Sequence, residues 1–210
     1  MAGPEFRNGA KDMDQGISRR DLLKSLAVAI PTGSALGLIP LQAAEHAHKM
    51  VKEEKAKTPG GQYAPKFFNA QQYKTLQALC QAIIPSDGQS GGAIEAGAPE
   101  FIDLLTSENK EYQRRLGGGL IWLDAFCNQR YGKSYLEVPP EGQKEILDLI
   151  AFRKSAEKDP SLGTGTRFFE FLRNLTTDGY FTSEIGIKYL QYIGNDYLPE
   201  FPGCPPVPES

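Results

Sequence analysis

Histidine is almost missing from this 210-residue chain: His46 and His48 are the only two. That excludes a Ser-His-Asp or Cys-His centre inside the folded part, because such a centre needs an imidazole beside its nucleophile. Cysteine is nearly as scarce. Cys80, Cys127 and Cys204 lie far apart, so no Cys-x-x-Cys pair exists for zinc, haem or an iron–sulfur cluster. A dinucleotide fingerprint is also absent, since Gly163-Thr164-Gly165 has neither a third glycine nor a preceding strand. Gly117-Gly118-Gly119 lacks the strand and the spaced lysine of a phosphate loop. The formal net charge is −3 and the cations are scattered, so no basic stripe exists to neutralise nucleic-acid phosphates. No stretch alternates with period two, which leaves an all-α fold as the expectation. Paired carboxylates such as Glu53-Glu54, or Glu145 with Asp148, fall on helical faces expected to be solvated, whereas acid–base catalysis needs a shielded carboxylate. Catalytic, cofactor-binding and metal-ligating residues are therefore all expected to be none.

What is present begins with Ser18-Arg19-Arg20-Asp21-Leu22-Leu23-Lys24 and a soft apolar run, Ser25 to Ala44. Two adjacent arginines ahead of a weakly hydrophobic segment read as a twin-arginine (Tat) export signal, the route for proteins that fold before they cross the membrane. Lys24, Pro31, Gly33 and Gly37 dilute the run too much for a permanent span. Small-residue cleavage sites are expected at Leu41-Gln42-Ala43 and Gln42-Ala43-Ala44, and no cysteine follows to carry a lipid. Met1 to Lys11 does not read as a natural start, and Met13 serves that role better. The expected organisation is an N-terminal extension and signal over 1–44, a charged linker over 45–66, a helical domain over 67–198 and an extended tail over 199–210. In the linker, His46 and His48 have no cysteine or carboxylate cluster beside them, so a solvated pair is expected rather than a metal site.

Along the domain, five to six helices with long loops are expected. Asn69 and Gln72 have the spacing of a capping box, followed by a stripe of Tyr73, Leu76, Leu79, Cys80 and Ile83 that ends at Pro85. Pro99 suits a helix start, with Phe101, Leu104 and Leu105 inward. A third helix, from about Glu108 to Tyr131, carries Tyr112, Leu116, Leu120, Leu123 and Cys127 on one face. The glycine run inside it costs on the order of 1 kcal/mol per residue, so it implies a closely packed neighbour or a break. Pro139-Pro140 opens a fourth helix with Ile146, Leu149 and Ile150 inward. Gly163-Thr164-Gly165 reads as loop. A fifth helix buries Phe168, Phe169, Leu172 and Leu175 and should stop at Asp178-Gly179. Ser183-Glu184 starts a short last helix containing Tyr189 and Tyr192. After Pro199 the proline-rich tail is extended.

An export signal of this type on a small chain without a cofactor site is explained if it serves two chains, this one and a larger cofactor-loaded partner. The last third holds more large rings than a small core absorbs, and aromatic residues anchor interfaces. Tyr180, Phe181, Tyr197 and Phe201, with Cys204 on the tail, are the candidate partner contacts. Cys204 is also a candidate for a disulfide to that partner, with a free thiol as the alternative.

The sequence resembles the small subunit (subunit 3) of gluconate 2-dehydrogenase. The likeness rests on Ile83-Ile84-Pro85, Gly92-Ala93-Ile94-Glu95-Ala96-Gly97, Phe101-Ile102-Asp103, Phe168-Phe169-Glu170-Phe171-Leu172, Gly179-Tyr180-Phe181-Thr182-Ser183 and Phe201-Pro202-Gly203-Cys204. It implies a periplasmic accessory subunit, with the chemistry on a large FAD-binding partner of the glucose–methanol–choline (GMC) type. Electrons would pass to a cytochrome c carrying haem on a third subunit, or to another acceptor, and association with a membrane would run through that cytochrome. The Tat translocase is the implied transient partner. A self-standing exported binding protein is the alternative reading, and a metal- or haem-binding electron carrier a third.

Overall fold

A computed structural model describes residues 41–87 and 90–192. Their regular secondary structure is all helical, with no strand among the described residues, as the absence of period-two alternation predicts. The helices are α1 (Leu41–Lys57), α2 (Ala70–Ile83), α3 (Ala98–Glu108), the short turn α4 (Lys110–Tyr112), a π-helical turn (Gln113–Gly117), α5 (Gly118–Tyr131), α6 (Pro140–Ile150), α7 (Arg153–Lys158), α8 (Gly163–Phe181) and α9 (Glu184–Tyr189). Single 3-10 turns lie at Tyr135–Glu137 and Pro160–Leu162.

Helix α3 is the centre. Ala98, Pro99 and Phe101 through Thr106 are all buried, so this short helix is covered on nearly every side. Helices α1, α2 and α8 pack around it. Its one buried carboxylate, Asp103, is fully enclosed and accepts from the backbone N–H groups of Lys66 (2.6 Å), Phe67 (3.1 Å) and Phe68 (3.0 Å) and from the Tyr63 hydroxyl (2.9 Å). Four donors replace the water that the carboxylate has lost, which makes its burial tolerable. Asp103 thus fixes the loop that leads into α2. That helix then starts as its capping box requires: Asn69 Oδ1 accepts from Gln72 N at 2.9 Å, and Asn69 N donates to Gln72 Oε1 at 3.2 Å.

Helices α5 and α8 cross by exchanging glycines. A Cβ on Gly119 would lie 2.0 Å from the Phe168 ring, and a Cβ on Gly165 would lie 2.2 Å from the Trp122 ring. Each helix thus offers a glycine and, three residues on, a ring that covers the other helix's glycine. Because Gly119 meets Phe168 while Trp122 meets Gly165, the two chains run antiparallel at the crossing. The glycine run is therefore both things its cost implies: a close packing site at Gly119 and an irregularity, the π-helical turn, just ahead of Gly118.

Several expectations need correction. Residues 45–57 do not form a solvated linker. They belong to α1, whose Ala43, Ala44, Ala47, Met50 and Val51 are buried against the domain, with a Lys55–Glu100 ion pair (2.9 Å) at the α3 end. The expected cleavage residues Ala43 and Ala44 are inside this docked helix. Gly163-Thr164-Gly165 is the first turn of α8 rather than a loop, and α8 runs past Asp178-Gly179 to Phe181. Gly179 serves approach rather than termination, since a Cβ there would come within 3.0 Å of Phe101. Helix α7 has no counterpart among the expected helices, and α9 ends at Tyr189, ahead of Tyr192.

Candidate partner-binding surface

The export-signal residues Arg19 and Arg20 and the candidate partner contacts Tyr197, Phe201 and Cys204 lie outside the described residues, whereas the candidate contacts Tyr180 and Phe181 lie within them. Tyr180 does not present its ring to solvent. It is 3 % exposed, its hydroxyl reaches Ser90 Oγ at 3.2 Å, and its face is met edge-on by Phe181 at 5.0 Å. The last turn of α8 points it into the domain, so it belongs to the fold and not to a free surface. Phe181, one residue on, is 36 % exposed. Tyr189 at the end of α9, and Leu190 and Tyr192 just after it, are about half exposed. Phe168 and Phe169 are core, and Phe171 is half-buried.

The α1 side holds a cleft of about 440 Å³ lined by His48, Lys52, Gly97, Thr182 and Glu184 among others. His48 is not the solvated residue the sequence suggested. Its ring stacks on Phe101 at 4.8 Å, and Nε2 lies 3.0 Å from Thr182 Oγ1. Burial, helped by the charge of Lys52, lowers the His48 pKa to about 4, so the ring is neutral at ordinary pH. A Lys52–Glu184 ion pair spans the cleft mouth. His46 is half-buried on the same helix.

A second concavity, about 640 Å³, opens where the π-helical turn faces α7 and α8. Tyr112, Phe168, Phe171 and Leu175 form its apolar floor, and Arg114, Arg115, Arg153 and Arg167 stand around it with Glu111 and Glu170. Glu111 accepts Arg115 Nε at 2.7 Å on one oxygen and pairs with Arg114 through the other. Glu170 takes Arg153 Nε at 3.2 Å and also its Nη2. The Arg115 guanidinium lies 4.9 Å over the Phe171 ring.

Other titratable groups are structural. Burial raises the Cys80 thiol to about 12, and it lies 3.5 Å from Thr176 Oγ1; burial likewise raises Cys127 to about 11. Glu145 and Asp148 are surface groups, the first held by Arg130 and the Tyr131 hydroxyl (2.7 Å), the second by Lys144 (2.7 Å). Among the described residues no three His, Cys, Asp or Glu side chains converge as metal ligands. No described helix is long and apolar enough to cross a membrane.

Neither the curated proteins nor the solved structures contain a match to this chain. The family model for gluconate 2-dehydrogenase subunit 3 matches residues 70–203, from the first residue of α2 to beyond the described end of the chain. The chain belongs to the gluconate 2-dehydrogenase subunit 3 family.

Proposed function

We propose that this chain is the non-catalytic small subunit of a periplasmic dehydrogenase, which stabilises a large GMC-type flavoprotein and escorts it through the twin-arginine pathway. The observation that carries the reading is the family match over residues 70–203, which makes the chain an accessory part of a dehydrogenase complex. The Arg19-Arg20 pair supplies the export half of the reading. In this assignment FAD sits on the large partner, which oxidises a hydroxyl of a sugar or sugar acid and passes electrons to a cytochrome c or another acceptor. The described part of the chain fits an accessory role. Its imidazole at position 48 is spent on stacking and on Thr182, and its carboxylate at position 103 on loop donors.

The test is to produce the large chain in its native host with and without this one. Loss of periplasmic flavoprotein and activity on deletion is expected, and full export without this chain overturns the escort role. Replacing Arg19 and Arg20 with lysine should leave both chains in the cytoplasm.

A further inference from the structure

We propose that the arginine-rimmed groove between the π-helical turn, α7 and α8 is the seat for an acidic, extended segment of the large subunit. The inference rests on the accessory-subunit reading and adds the chemistry of the contact.

Charge is the first ground. The chain as a whole is at −3, yet the residues lining this groove include four arginines and two glutamates, and no aspartate or lysine. The groove is thus a local reversal, about two positive charges in excess. The two glutamates do not neutralise it; they aim it. Glu111 holds Arg114 and Arg115, and Glu170 holds Arg153, so three guanidinium groups stand fixed at the rim. Arg167 makes no ion pair among the described residues, and its Nη2 donates to Thr164 Oγ1 at 3.5 Å. Arg115 meets Glu111 through Nε and holds its guanidinium carbon 4.9 Å over the Phe171 ring, which leaves its terminal N–H groups for a second carboxylate.

Backbone geometry is the second ground. In an α-helix two consecutive side chains diverge by about 100°. Glu111 nonetheless reaches both consecutive arginines, because Arg114 and Arg115 stand three and four residues beyond it and flank its helix face, so the pair is gathered on one rim. Just beyond, Gly118 leaves the wall bare: a Cβ built on it meets nothing within 4 Å.

Shape decides the class of occupant. A single small anion is held by donors that converge on one point. Here the cations come from three separate elements along a trough with an aromatic floor, which suits a chain segment carrying several carboxylates with an apolar side chain between them.

The test uses the two-subunit complex. Association of the large subunit with wild-type chain is measured against Arg114→Glu/Arg167→Glu, against Gly118→Trp as a plug in the open space, and against Lys74→Glu, an exposed charge change on α2 away from the groove. Thermal melting of each isolated variant verifies folding. Both groove variants should weaken association by at least about tenfold while Lys74→Glu stays within about twofold, and wild-type affinity should fall as salt rises. Groove variants that fold and bind within twofold of wild type overturn the proposal. A wild-type chain that fails to associate at all overturns the accessory-subunit reading as well, so the two failures are told apart.

Discussion

Asp103 shows how much one side chain holds in place. Three consecutive backbone N–H groups and a tyrosine hydroxyl converge on a carboxylate with no solvent contact. Asp103→Ala would leave these donors facing a small void, and each unsatisfied buried donor costs about 1–3 kcal/mol, so a loss of at least about 3 kcal/mol is expected in a urea titration. His48 gives a second prediction at this scale, with a pH signature. Its folded pKa of about 4 lies below its ordinary value of 6.5, so between those pH values the unfolded chain binds a proton that the folded one refuses. The stability contributed by the neutral ring is whole above pH 6.5, drains as pH falls toward 4, and changes no further below. Because His48 is half-buried rather than enclosed, the loss should be about 1–2 kcal/mol rather than the full shift. Urea midpoints at pH 7 and pH 4.5 should differ more for wild type than for His48→Phe, which keeps the stacking on Phe101 without a titrating group.

At the scale of elements, the α5–α8 crossing separates two adjacent glycines. Gly119→Ala must push against a phenylalanine ring in a packed core and is expected to cost about 2 kcal/mol or more. Gly118→Ala meets open space on the same helix and should stabilise by up to about 1 kcal/mol through helix propensity alone. Melting temperatures moving in opposite directions would verify the crossing, and equal shifts would contradict it. Helix α1 makes a different point. It precedes the stretch that matches the family model, yet buries five residues against the domain. The charges that suggested a linker, such as Lys49, Lys52 and Lys55, occupy its outer and cleft-facing sides, and the small apolar residues between them form the docked stripe. A chain begun at Lys66 would uncover part of α3 and should melt lower than the full chain.

Across the whole molecule, the sequence was most informative where a signal is local. The capping box at Asn69, the proline near the α3 start and the inward stripes of α2, α5, α6 and α8 all depend on residues within a few positions of one another. What stayed hidden is long-range. Asp103 takes its donors from 35 to 40 residues upstream, and the groove gathers arginines from segments separated by tens of residues. Gly179 looked like a stop because the ring that needs its space, Phe101, lies far away in the chain. Tyr180 failed as a surface candidate for the same reason: a count of rings cannot say which ones the core selects. For the assembled dehydrogenase, separating the subunits should leave the flavin absorption with the large chain, and a visible spectrum of each fraction checks it. Flavin bands on this chain would contradict the proposed division of labour.

The docking of α1 also bears on timing. Should the export leader be removed at Ala43 or Ala44, the peptidase meets not a slack tether but the first turn of a seated helix, with Ala44 fully enclosed. A protease needs its substrate backbone released from helical hydrogen bonds and packing. On the proposed export route, cutting there would wait on the opening of α1, and its pace would be set by the fold of the passenger rather than by the abundance of the peptidase.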